Sequence, residues 1–279
     1  MSDWSVVVDS GCDLTKEMFD SDSIGFYKAP CTITIDGVEY VDTDDIDAHQ
    51  LLIDMEKSKS LGKTACPGPG TWLEQLNKCG DKIIMITISD QVSGSYNSAL
   101  IAKDMYLDEN PWKQILVLNT YSCGPALSYL ALIAKKVISE HEDFKTVAEI
   151  MMKYRDEHRT EFAFCNFDNL VKGGRMNKIV GFVASRLNIW GVGAGIDGGL
   201  KLLSKVRGET KMVLAILANI QSRNFDRELI VVEHCENQAL AERMSDLFRE
   251  KWPGVECVII PTKGICTYYA ERGGMVIHC

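Results

Sequence analysis

No stretch of this sequence reaches the roughly 18 consecutive apolar residues that a membrane-spanning helix needs, so no integral membrane segment is expected. The start, Met1-Ser2-Asp3-Trp4, lacks a basic segment followed by a long apolar one, which argues against a secretory signal and for a cytoplasmic protein. Basic clusters are missing as well. With a net charge of −9 and no block of Lys and Arg to neutralise a run of phosphates, the chain is not expected to bind nucleic acid. Ten cysteines are present but no Cys-x-x-Cys pair, which removes zinc-ribbon and thioredoxin-type sites and leaves reduced, mostly buried thiols as the default. The Gly-x-x-x-x-Gly-Lys-Ser/Thr loop that cradles nucleotide phosphates is also absent, so the chain is not expected to use ATP by itself.

What is present points to alternating strands and helices. At 279 residues the length suggests two domains, and a boundary near Thr160 divides the chain into 1–160 and 161–279. The most informative stretch is Ser89 to Ala99, which joins the β-branched run Ile83–Ile88 to the amphipathic run Ser98–Leu107. Such a strand-to-helix turn leaves the first backbone N–H groups of the helix without partners. With Ser93 as N-cap, those donors, the positive end of the helix dipole and the Ser93 and Ser95 hydroxyls would favour a carboxylate or phosphate, and Gly94 would let it approach closely. An ordinary capped helix explains the same residues.

The strand–polar turn–helix pattern recurs at Ser5–Ser10 and at Gln114–Ser122, and such repetition predicts parallel strands joined by crossovers. Ligands in such sheets bind beyond the carboxyl ends of strands, which makes Asp9 and Ser10 candidates to stand near Ser93. Thr32–Asp36 and Val38–Val41 alternate about Asp36-Gly37 and read as a hairpin. The acids Asp42, Asp44, Asp45 and Asp47 lack the spacing of a calcium loop and read as a solvated lead into a helix over about Ala48–Lys57. Lys63 to Gly70 is rich in breakers and reads as a rigid polar loop in which Thr64 offers a hydroxyl.

In the second half, Phe162–Phe167 reads as a strand, and Gly173-Gly174 leave room beside Arg175, a candidate partner for an acidic group. A helix is expected from about Lys178 to Asn188. Gly193, Gly195 and Gly198 match a dinucleotide-binding spacing, but Leu200–Val206 alternates like a second strand, so Asp197-Gly198 is read as a hairpin turn.

Taken in order, Asp9-Ser10 before Asp13-Leu14, Thr64 with Pro67, Ser93-Gly94-Ser95-Tyr96-Asn97-Ser98-Ala99, Gly173-Gly174-Arg175, Asp197-Gly198 and Lys205-Val206-Arg207-Gly208 resemble the DegV family of bacterial fatty-acid-binding proteins. The resemblance spans nearly the whole chain. It implies two α/β domains, the first with a mainly parallel sheet flanked by helices, the second with a mixed or antiparallel sheet, and a lipid cleft between them. It also implies that a long-chain fatty acid is held by its carboxyl at the positions matching Thr64 and Ser93 or Ser95. The carrier then presents that carboxyl to a separate ATP-dependent fatty acid kinase subunit; transient membrane contact is also compatible with the sequence. The ligand-binding residues expected on this basis are Ser10, Thr64, Ser93, Gly94, Ser95, Asn97, Arg175 and Cys266; no catalytic residue, metal ligand or cofactor is assigned.

Two departures from the family pattern stand out. A His before Gly-Pro-Gly near the C-terminus is replaced by a stretch in which Cys266 stands for the imidazole, and Trp190-Gly191 stands where Lys-Pro is expected. Placed on the family scheme, Cys12, Cys66, Cys123 and Cys266 all fall in loops at the cleft, as small residues beside a pocket or as thiols open to oxidation or a soft metal. The competing function is an enzyme acting on a small acidic or phosphorylated metabolite, with Cys66 or Cys266 as nucleophile. It lacks a convincing base, because none of the five histidines falls beside the motifs.

Overall fold

The computed structural model describes residues 3–176, 188–223 and 228–279. Its first half runs β1 (Trp4–Asp9), α1 (Lys16–Phe19), β2 (Ile24–Ala29), β3 (Thr32–Ile35), β4 (Val38–Val41), α2 (Ala48–Lys57), β5 (Lys63–Ala65), α3 (Pro69–Leu76), β6 (Lys82–Thr87), α4 (Ser95–Glu109), β7 (Gln114–Asn119), α5 (Pro125–Glu140) and α6 (Phe144–Asp156). The second continues β8 (Thr160–Phe164), α7 (Asp168–Lys172), β9 (Ile189–Ile196), β10 (Gly199–Arg207), α8 (Glu209–Gln221), β11 (Leu229–His234), α9 (Gln238–Lys251), β12 (Glu256–Pro261), α10 (Gly264–Ala270) and β13 (Met275–His278). The helix expected over 178–188 lies, apart from Asn188, outside the described residues.

β1 is buried at every position, as a strand covered on both faces must be. It sits between β2 and β6 in a four-stranded sheet of order β2-β1-β6-β7, parallel throughout. A six-stranded mixed sheet of order β10-β9-β8-β13-β11-β12 forms the second layer, with β11 and β12 its parallel pair. A small antiparallel sheet, β4-β3-β5, completes the set. The fold is therefore α/β with a parallel first sheet and a mixed second one.

α5 joins the two larger layers. Its sequence is apolar almost all round, and such a helix must be covered on every side. It packs on β1 and β6 on one side and on β11 and β13 on the other. One core accordingly runs from Val6, Val8, Ile84 and Ile86 through Leu127 and Leu130 to Val231 and Ile260.

Both hairpins form as read. Ile35 faces Val38 and Ile196 faces Gly199, and each two-residue turn has positive φ at both positions, 48° and 87° at Asp36-Gly37 and 55° and 78° at Asp197-Gly198. The glycines of the dinucleotide-like spacing thus belong to β9 and its turn, and Gly193 is needed because a Cβ there would lie 2.3 Å from the Phe162 ring and 2.4 Å from the Lys201 carbonyl oxygen.

Some elements differ from the sequence reading. The stretch read as a rigid loop at Lys63 contains β5, a three-residue strand that exists only because β3 offers it an edge. β2, α7 and α10 have no counterpart in the periodicity. The helix after Ser89–Ser93 begins one residue later than expected: Gly94 is the cap residue and makes no side-chain cap bond, while the Ser93 hydroxyl accepts from the Ser95 amide at 3.2 Å.

Candidate functional site

A cavity of about 310 Å³ lies where the three layers meet. Gly11, Ile88 and Cys123 bring the carboxyl ends of β1, β6 and β7 to its wall, the position at which open α/β sheets bind ligands. From the mixed sheet come Thr160, Phe162 and Phe164, alternate residues of β8 and therefore on one face of it. Leu170, Leu200 and Val276 extend that apolar wall. The small sheet contributes Cys31, Thr64 and Ala65, and α10 closes the remaining side with Ile265, Cys266, Tyr269 and Ala270.

Of the residues expected at the site, Thr64, Ser93, Gly94, Arg175 and Cys266 line this one cavity, although they are up to 202 positions apart in the chain. The Thr64 hydroxyl lies 2.9 Å from the Tyr269 phenol, which fixes its rotamer at the wall. Arg175 is half-buried, donates to the Gly173 carbonyl and stands over the Tyr269 ring, 6.0 Å from its centroid. At Gly94 a Cβ would come within 3.1 Å of the Cys66 sulfur, so glycine keeps the backbone open between helix and thiol.

The other three stand elsewhere. Ser95 is fully buried, and its hydroxyl donates to Asp9 Oδ2 at 2.5 Å. Ser10 is buried too and accepts the Cys31 amide at 2.8 Å. Asn97 lies on the exposed side of the first turn of α4. Of the three, Ser93 precedes the helix and meets the cavity, while Ser95 and Asn97, about 200° apart in its first turn, face the protein interior and the solvent.

Asp9 organises the neighbourhood. Its carboxylate accepts from the Ile88 amide at 2.8 Å, the Gly11 amide at 3.0 Å and Ser95. Burial outweighs those bonds and raises its pKa to about 6. Asp42, read as part of a solvated acidic run, is instead buried, accepts the Ile265 amide at 2.8 Å and is likewise raised by burial to about 6. Its neighbours follow the expectation: Asp47 caps α2 by accepting from the Gln50 amide.

Cysteines are prominent on the wall. Cys66, Cys123 and Cys266 line it as expected and Cys31 joins them, but Cys12 is fully buried with its sulfur 3.6 Å from the Ser128 hydroxyl. Burial pushes the Cys123 thiol up to about 12 and those of Cys31 and Cys266 well above the ordinary range. No histidine lines the cavity.

Sequence reasoning missed Glu233, Tyr269 and the Phe162–Phe164 wall. Glu233 carried a signal, an acid inside the apolar run Leu229–Val232 that continues to His234, whereas Tyr269 carried none.

The chain is similar to known proteins over nearly its whole length. A sequence profile described as "Uncharacterised protein, DegV family" matches residues 3–278. A DegV domain-containing protein of Streptococcus gordonii is 33% identical over 275 residues, covering 98% of each chain. Among solved structures, the Streptococcus pneumoniae Fatty Acid Kinase (Fak) B3 protein loaded with linoleic acid superposes with a TM-score of 0.94 at 32% identity, covering 100% of this chain and 99% of that one. A DegV family protein from Eubacterium eligens loaded with heptadecanoic acid gives 0.93 at 30% identity, covering 99% of both. With its parallel and mixed sheets enclosing a cavity between them, and with matches along its full length, the chain belongs to the DegV family.

Proposed function

We propose that this protein binds a long-chain fatty acid, with the acyl chain along the wall of Phe162, Phe164, Leu170, Leu200 and Val276 and the carboxyl at Thr64 and Ser93. The observation that carries the reading is the cavity itself, which joins an apolar wall to a short polar edge. Burying about sixteen carbons would contribute on the order of 10 kcal/mol before ordering costs, at about 0.8 per methylene. The tail therefore sets affinity and the head sets orientation.

The binding component of a fatty acid kinase is the role this implies: the carboxyl is presented to a separate kinase subunit, with phosphoryl transfer supplied by that partner. The similarity to the Fak B3 protein supports this part. The ten thiols, all free, suit a reducing cytoplasm. Among the described residues no helix is long and apolar enough to cross a membrane. Burial raises the Cys266 thiol well above its ordinary range, which disfavours it as the nucleophile of the enzymatic alternative.

Mass spectrometry of an organic extract of the purified protein, beside native mass spectrometry of the intact chain, tests the reading. A stoichiometric fatty acid that disappears on Ser93→Asp substitution is the expected result. A protein that emerges empty and takes up no added fatty acid would overturn it.

A further inference from the structure

Asp13, Glu233 and Cys266 come from three separate elements, the loop after β1, the strand β11 and the helix α10, yet one potential ligand atom of each lies within 4.8 Å of the other two. Both carboxylates are completely buried. Each has one oxygen held by the protein: Asp13 Oδ1 accepts the Lys263 amide at 2.9 Å, and Glu233 Oε1 accepts the Ser128 hydroxyl at 2.8 Å. The second oxygen of each, Asp13 Oδ2 and Glu233 Oε2, has no backbone or hydroxyl donor among the described residues and faces the other carboxyl and the Cys266 thiol. The Cys266 thiol donates to the Gly11 carbonyl oxygen at 3.4 Å and also lies against the Asp13 carboxyl.

A buried carboxylate oxygen without a donor costs about 1–3 kcal/mol or more, and here two of them stand beside a thiol. The buried Lys28 ammonium pairs with Asp44 at 2.6 Å and acts on Asp13 and Glu233 through its charge, without a hydrogen bond to either. The outer contacts from Lys263 and Ser128 orient the two carboxylates as second partners orient metal ligands, leaving the inner oxygens free. A tetrahedral zinc ion holds oxygen and sulfur ligands about 3.5 Å apart, a contraction that side-chain adjustment can supply from the spacing found. Glu233 and Cys266 also line the cavity, which gives an ion a path in and leaves a fourth position for water.

We propose that Asp13, Glu233 and Cys266 form a binding site for a single divalent cation of the zinc type. Two carboxylates and one thiolate with an open fourth position match the mixed hard and soft preference of zinc and its cobalt(II) surrogate, and suit magnesium or calcium poorly. Because Asp13 belongs to the first half and the other two ligands to the second, the bound ion would tie the halves together at the cavity wall. The site does not depend on which organic ligand the cavity takes.

The test uses the full chain, reduced and freed of metal by dialysis against a chelator. Cobalt(II) should give a saturable thiolate charge-transfer band at one equivalent. Calorimetry with zinc should show one site, weakened about 100-fold or more in Glu233→Gln and in Cys266→Ala, and zinc should raise the melting temperature of the wild type only. Cys266→Ala removes the sulfur ligand and leaves the Lys263 and Ser128 contacts of the two carboxyls in place, so it keeps the test valid if the Glu233 variant fails to fold. Absence of a band, or a band that persists in Cys266→Ala because other wall thiols supply it, would overturn the proposal and leave a proton shared by Asp13 and Glu233 as the occupant.

Discussion

The Ser95 hydroxyl donates to Asp9 Oδ2 at 2.5 Å, tying the first turn of α4 to the end of β1 beneath the cavity. Two serines of one turn are thereby given different tasks. Ser95→Ala leaves the fully buried Asp9 short of a donor and should cost about 1–3 kcal/mol of stability. Ser93 is half-buried at the cavity wall and accepts only the Ser95 amide at 3.2 Å, so Ser93→Ala should cost about 1 kcal/mol or less while weakening fatty acid binding. Denaturant melts of both variants beside a fatty acid binding titration check this; an equal effect of both substitutions in both measurements would contradict the division.

Asp9 also predicts a pH dependence. Its pKa is raised in the folded protein to about 6 from an ordinary value near 3.8, chiefly by burial, so the folded state holds the proton more tightly than the unfolded chain. Its contribution to stability is therefore fully present below about pH 4 and is lost as the pH rises through about 6. A shift of this size corresponds to roughly 3 kcal/mol. The stability difference between wild type and Asp9→Asn should thus move in favour of the wild type as the pH falls from 7.5 to 4.5, a comparison in which titrating groups that do not act on Asp9 cancel. A flat difference in urea melts across that range would show that Asp9 is not titrating.

Two glycines separate packing from chain stiffness. Gly193→Ala would press a methyl between the Phe162 ring and the Lys201 carbonyl, where the second neighbour is backbone and cannot yield, and it should destabilise by about 3 kcal/mol or more. Gly70 lies in the first turn of α3 with nothing within 4 Å of a Cβ, so Gly70→Ala should be neutral or stabilise by up to about 1 kcal/mol. Thermal melts of the two variants should therefore move in opposite directions or, at the least, differ by several degrees.

The parallel strands were legible because β1 and β6 are continuous apolar runs, and the hairpins because Asp-Gly is suited to positive φ at both turn positions. Thr64 and Ser93 could be named as site residues, but their meeting depends on β5, which takes its shape from β3 rather than from its own three residues. α10 was illegible for a related reason. Its start is pinned by Asp13 and Asp42, which accept the Lys263 and Ile265 amides across separations of 250 and 223 residues. Alternation placed Phe162 and Phe164 on one face of a strand, yet the Phe162 ring is held by Gly193 behind it and by the Phe164 and Phe167 rings, contacts that alternation does not reveal.

The apolar wall finally predicts ligand length. Leu200 is half-buried on β10, faces the cavity and packs with the cluster of Phe162, Phe164 and Leu170. Leu200→Trp places a larger side chain where the distal carbons of the acyl chain are proposed to lie, without touching Thr64 or Ser93. Each methylene excluded from the wall forfeits about 0.8 kcal/mol, roughly a fourfold loss in affinity. The variant should therefore keep its head-group contacts and shift its preference to shorter fatty acids, read by competition between chain lengths and mass spectrometry of the bound fraction. An unchanged preference would mean that the acyl chain leaves the cavity by another side, past Val92 or Ile265, and that those residues set its length.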